Sequence, residues 1–206
     1  MSIDEIPGIY LISPREIDVF RFPETLARVL DGQPVACLRL SLATQEESAI
    51  CRAADACRTV AHERDVPVVI ETHFLLAENL GLDGVHLTDG VRMVRKARNA
   101  LKSDAIVGSF CGSSRHDGIN AGEAGADYIS FGPIATSQLG DGSCAEFDLF
   151  EWWSQMIELP VVAEGGMSTR HIQNLAPVVD FLAIGREIWR SDNPAAELTR
   201  LAGAIG

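Results

Sequence analysis

The stretch PVVAEGGMSTRHIQNLAPVVDFLAIGREIWR, residues 160–190, decides the architecture, because two short apolar runs in it each end in glycine. Val161-Val162-Ala163 breaks at Gly165-Gly166, and Phe181-Leu182-Ala183-Ile184 breaks at Gly185. The runs are aliphatic or β-branched on both faces, and the stretch between them, Thr169 to Leu175, is amphipathic. That pattern predicts a βαβ unit with buried parallel strands. A glycine just past a strand end lets backbone N–H groups approach a ligand, and the next helical turn adds donors and its positive dipole end. Two such loops on neighbouring strands predict a phosphate cradle, where the loops after strands seven and eight of a (β/α)₈ barrel place one. The other reading, that these glycines serve only as tight turns, stays open on sequence alone.

Upstream, the same alternation repeats. Strands are expected at 8–12, 35–40, 66–70, 84–87, 105–110 and 128–131, with helices at 23–30, 44–64, 74–80, 91–101, 113–124 and 147–156 between them. Thr44-Gln45-Glu46-Glu47 reads as a capping box, and Asn193-Pro194 opens a terminal helix over 194–204. Residues 134–145 (IATSQLGDGSCA) form the one loose segment, long enough to act as a lid. Strands recurring at intervals of about 25 residues predict one TIM barrel, a single domain over 1–206. An open doubly wound sheet is the weaker reading, since no strand exit carries G-x-G-x-x-G. The barrel puts Arg39, Glu71, His73, His86, Asp89, Glu164 and Arg186 at the C-terminal strand ends, the active-site face of this architecture. Arg39, inside an apolar strand, needs a carboxylate or a ligand anion as partner.

A net charge of −12 repels nucleic acid and anionic membranes, so neither is expected as a partner. Any phosphorylated small-molecule ligand must be held by local N–H groups and a few arginines, because the only lysines are Lys96 and Lys102. Five scattered cysteines without a C-x-x-C pair read as reduced thiols. The acidic start MSIDEIP does not resemble a signal peptide, and a cytoplasmic protein is expected. A homo-oligomer is compatible with the sequence.

Five pieces together resemble the thiamine phosphate synthase family and its TenI relatives: GIYLIS at 8–13, LR at 38–39, GVHL at 84–87, AGADYISFGP at 124–133, and VVAEGGM with LAIGREI at 161–188. They run almost end to end in the family's order, and AGADYI-x-x-GP is the most specific. The resemblance implies a small barrel that joins a pyrimidine pyrophosphate to a thiazole phosphate with Mg²⁺, or, in TenI-type relatives, isomerises the thiazole. It implies that Gly165, Gly166, Gly185 and Arg186 bind the thiazole phosphate, and that Arg39 faces the pyrophosphate.

The chain departs from the family at the pyrophosphate half. Cys37 and Ser41 replace the glutamine and lysine flanking Arg39, and Glu71-Thr72 replace an asparagine and an aspartate. Val91 stands where the second magnesium aspartate belongs, leaving Glu71 and Asp89 as the nearest metal candidates. No lysine follows Lys102 to serve the loop after Gly132-Pro133. A leaving pyrophosphate carries about three charges, and losing one stabilising contact costs about two to three orders of magnitude in rate. Little synthase turnover is therefore expected from an eroded site. Acid–base chemistry would fall to Glu164 or His86, with Glu71 a further candidate. Glu164 has a competing role as a structural partner of an arginine, and His86 as a hydrogen-bonded core residue. A second reading is a non-catalytic paralogue that senses or carries a phosphorylated metabolite. A third has Glu71, His73, His86 and Asp89 holding a divalent metal.

Overall fold

In the computed structural model, which describes residues 6–136, 139 and 143–206, eight parallel strands close on themselves in sequence order. They are β1 (Gly8–Ile12), β2 (Cys37–Leu40), β3 (Val68–Glu71), β4 (Gly84–Leu87), β5 (Ile106–Phe110), β6 (Tyr128–Phe131), β7 (Val161–Ala163) and β8 (Phe181–Ile184). Tyr10 of β1 lies opposite Cys37 on one side and Ala183 on the other, so the barrel has no free edge. Outside it lie α1 (Phe22–Gly32), α2 (Glu47–His62), α3 (Phe74–Ala77), α4 (Val94–Ala100), α5 (Arg115–Glu123), α6 (Phe147–Met156), α7 (Thr169–Leu175), α8 (Arg186–Trp189) and α9 (Pro194–Ala202). The fold is the (β/α)₈ barrel that the strand spacing implies.

Period-two alternation sorts the strand residues. Leu11, Leu38, Ile70, Val85, Ile129 and Leu182 belong to the large core between strands and helices. Tyr10, Cys37, Val69, Tyr128, Val162 and Ala183 form a separate cluster inside the barrel. Gly108 makes that interior possible, because a Cβ there would lie 2.0 Å from Cζ of Tyr128. Aspartates close the opposite, N-terminal face. Asp83, Asp127 and Asp180 each precede one strand and accept the N–H of a residue at the start of the strand before it, from Val68, Val107 and Val161 at 2.7–2.8 Å. Part of the acidic excess is therefore structural rather than a recognition surface.

Several boundaries differ from the sequence reading, each for a local reason. Proline at 67 has no N–H for the ladder, so β3 starts at Val68 and runs one residue further, to Glu71. The capping box does not form: Thr44 Oγ1 accepts the Glu46 N–H at 3.1 Å, and Glu46 becomes the N-cap without a side-chain bond. The basic stretch 91–101 divides into a 3₁₀ turn at Gly90–Met93 and α4. The helical turn expected after Gly185 is the short α8. Of the lid expected over 134–145, residues 137–138 and 140–142 lie outside the described residues. Among the described residues no helix is long and apolar enough to cross a membrane.

Candidate functional site

On β2, β3, β6 and β7, stepping two residues from the interior cluster toward the C-terminal end turns the interior polar. Cys37 is followed by Arg39, Val69 by Glu71, Tyr128 by Ser130 and Val162 by Glu164. These side chains converge. Arg39 Nη2 donates to Glu164 Oε2 at 2.6 Å, and Ser130 Oγ donates to Glu164 Oε1 at 3.1 Å. Arg39 Nε lies 3.2 Å from Glu71 Oε1, an ion-pair contact without hydrogen-bond alignment, and Ser41 Oγ donates to Glu71 Oε2 at 2.8 Å. Arg39 and Glu164 are 4% and 1% exposed, and Glu71 is 20% exposed at the mouth. Burial works against the charge of Arg39, but Glu164 first, then Tyr10 and Glu71, hold its pKa above the ordinary arginine value. The charge is thus fixed, and Nη1 is left without a partner among the described residues.

Beneath this cluster lies a chain of neutral groups. The Tyr10 and Tyr128 hydroxyls are 2.6 Å apart, and His86 Nδ1 is 2.9 Å from the Tyr128 hydroxyl. The imidazole stacks on the Tyr128 ring, and the Arg39 guanidinium lies 5.6 Å from the centroid of Tyr10. Burial drives both tyrosine pKa values well up and the His86 pKa well down, the latter helped by nearby Arg39. His86 therefore enters as a neutral ring, with Nε2 buried and unpartnered among the described residues. The Cys37 thiol is pushed up to about 12 by burial and is neutral as well. Tyr10, Tyr128 and Ser130 were not picked out in the sequence as site residues, although period-two alternation along β1 and β6 puts Tyr10, Tyr128 and Ser130 on the inward face.

The glycines stand just past the ends of β7 and β8, as their spacing predicted. Gly165 and Gly166 take φ of +90° and +80°, and a Cβ on Gly166 would sit 2.9 Å from that of Ala135. Gly185 precedes α8 as its N-cap, and a Cβ there would lie 2.9 Å from Cβ of Ile12. Arg186 is the exposed first residue of α8. The N–H groups of Gly166 and Arg186 donate to no described residue. Glu187 Oε1 accepts the Met167 N–H at 3.0 Å and its Oε2 the Gly185 N–H at 2.9 Å, a contact that no sequence motif announced.

The metal candidates are dispersed. Glu71 has both oxygens engaged, Asp89 stands exposed ahead of the 3₁₀ turn, His73 is the N-cap of α3 without a side-chain bond, and His86 lies inside the barrel. No group of three or more His, Cys, Asp or Glu among the described residues is placed to hold a metal ion. These residues do not form a ready site for the Mg²⁺ that the family resemblance implies. In its place is a strained mouth: Thr72, a β-branched residue, takes φ of +66°, which costs about 1–3 kcal/mol. It is held by its N–H bond to His86 O at 2.9 Å, and its hydroxyl lies 3.3 Å from that of Thr88.

Comparison with known proteins gives a consistent result. Residues 9–188 match a family model described as thiamine monophosphate synthase. The chain is 37% identical over 198 residues to a thiamine-phosphate synthase of Rhodospirillum centenum, covering 94% of each chain. It is 38% identical over 205 residues to one of Erythrobacter litoralis, covering 95% of each. Among solved structures, a thiamine phosphate pyrophosphorylase from Pyrococcus furiosus superposes with a TM-score of 0.82 over 96% of both chains; at 18% identity this likeness speaks to the fold alone.

Proposed function

This chain belongs to the thiamine monophosphate synthase family, and from that premise we propose that it joins a pyrimidine pyrophosphate to a thiazole phosphate at the C-terminal mouth of the barrel. The observation that carries this reading is the buried Arg39, braced by two carboxylates with Nη1 unsatisfied among the described residues, above a neutral His86 whose Nε2 also has no partner among them. A buried polar atom left without a partner is costly, so an acceptor brought by a ligand beside Arg39 is favoured. Alkylating a thiazole nitrogen creates a cationic ring. Two carboxylates against one guanidinium leave the cluster with an excess negative charge that favours such a ring.

In this reading the thiazole phosphate is anchored at Gly165, Gly166, Gly185 and Arg186. Arg39 is the group beside the leaving group, fully buried His86 acts from beneath it through Tyr128, and Glu164 acts through Arg39 as a positioning residue, with both its oxygens committed. A TenI-type isomerisation would ask Glu164 to move protons, which that commitment disfavours. The pyrophosphate half keeps Arg39 but not the lysines or magnesium aspartates, so its affinity is low, and no step is assigned to a metal. The relatives' names lend no support to a non-catalytic paralogue. The test is pyrophosphate release with each substrate alone and with both, in buffer containing Mg²⁺. Release only with both substrates, at a high KM for the pyrimidine pyrophosphate, is expected. Tight binding of thiazole phosphate with no release would contradict the proposal.

A further inference from the structure

The ladder between β7 and β8 is short: it pairs Val162 with Phe181 and Ala163 with Leu182 and then ends. Beyond it the two glycine loops have no strand pairing to fix their separation. The β7 loop is tied on its other side, where Ile134 and Ala135 donate to Gly165 O at 2.8 and 3.1 Å. His171 Nδ1 lies 3.0 Å from Gly166 O and braces the same loop from α7. Toward β8 the bridge is the half-buried carboxylate of Glu187, with one oxygen on the Met167 N–H and the other on the Gly185 N–H.

We infer that Glu187 is a positioning residue for a phosphate monoester, a clamp that holds the two loops at the spacing where the Gly166 and Arg186 N–H groups address the same phosphate. This rests on the phosphate anchor proposed above. A bidentate carboxylate suits the task because both N–H groups are donors and each needs an acceptor. An amide supplies one acceptor and turns its NH₂ against the second donor, so glutamine holds one loop and releases the other. Aspartate keeps the charge but is one methylene short of spanning both. The carboxylate also places a negative charge near the cradle, which by itself would weaken phosphate binding. The two effects have opposite signs in E187Q, and E187D separates them.

The experiment compares thiazole phosphate with the unphosphorylated thiazole alcohol on the wild type, E187Q and E187D, recording KM, kcat and the thermal midpoint. Both variants should raise KM for the phosphorylated substrate by about tenfold or more, as expected for a binding group displaced by a fraction of its contact distance. Their kcat at saturation and their affinity for the alcohol should stay near the wild-type values. Unchanged KM, tighter phosphate binding in E187Q, an equal loss for both ligands, or failure of both variants to fold would each overturn the inference. A wild type that does not distinguish the two thiazoles would instead remove the phosphate anchor itself.

Discussion

Replacing Arg39 by methionine is expected to lower stability by about 3–5 kcal/mol and to remove turnover, the usual consequence of deleting one partner of a buried ion pair. Methionine fills much of the arginine stem's volume, so the loss comes from electrostatics more than from a cavity. Glu164, 1% exposed, would be left with a hydrogen bond from Ser130 and no cation. Glu71, at 20% exposure with Ser41 still attached, would suffer less, because water reaches it. Denaturant unfolding of R39M, E164L and the double variant measures the coupling. The double variant should recover most of the stability, since replacing a buried pair by apolar groups is often neutral, yet it should recover no activity. A single R39M variant within about 1 kcal/mol of wild type would mean the cluster is solvated and the pair weak.

Gly166→Asp should weaken binding of a phosphorylated ligand by about 100-fold or more, because it sets a carboxylate against a phosphate at a few ångströms. Two further costs are built into the backbone. Gly166 has φ of +80°, which L residues rarely adopt, and its new Cβ would press on Ala135 at 2.9 Å. Gly166→Ala carries those costs without the charge, so the difference between the two variants isolates the electrostatic part. Calorimetric titration with thiazole phosphate reads both. Equal affinity in G166D and the wild type would place the phosphate away from the β7 and β8 loops.

The barrel was legible in the sequence because each of its strands is short, apolar and closed by a turn signal, and these properties are local. The positions of Arg39, Glu71, His86 and Glu164 at strand ends followed from the same pattern. Which of them meet did not, since Arg39 and Glu164 are 125 residues apart and Tyr10 and Tyr128 are 118 apart. Those encounters are set by barrel register, which a single sequence does not print. The need of Arg39 for a partner was readable from its apolar surroundings. That the partners are Glu164 and Glu71 together was not, although pairing with an arginine was one of the two roles open to Glu164 in the sequence. Thr44 shows the reverse failure, where a local motif matched but the hydroxyl chose the nearer Glu46 N–H. Glu187 gave no signal at all, because a glutamate in the first turn of a helix is ordinary and its second contact, Met167, is 20 residues upstream.

The most direct single measurement is a crystal structure of the protein with thiazole phosphate bound. The phosphate should accept from the Gly166 and Arg186 N–H groups at about 2.7–3.2 Å, with the ring directed into the mouth toward Arg39. A phosphate held elsewhere, or a ring turned away from Arg39 with the Glu187 bridge broken, would contradict the proposed site.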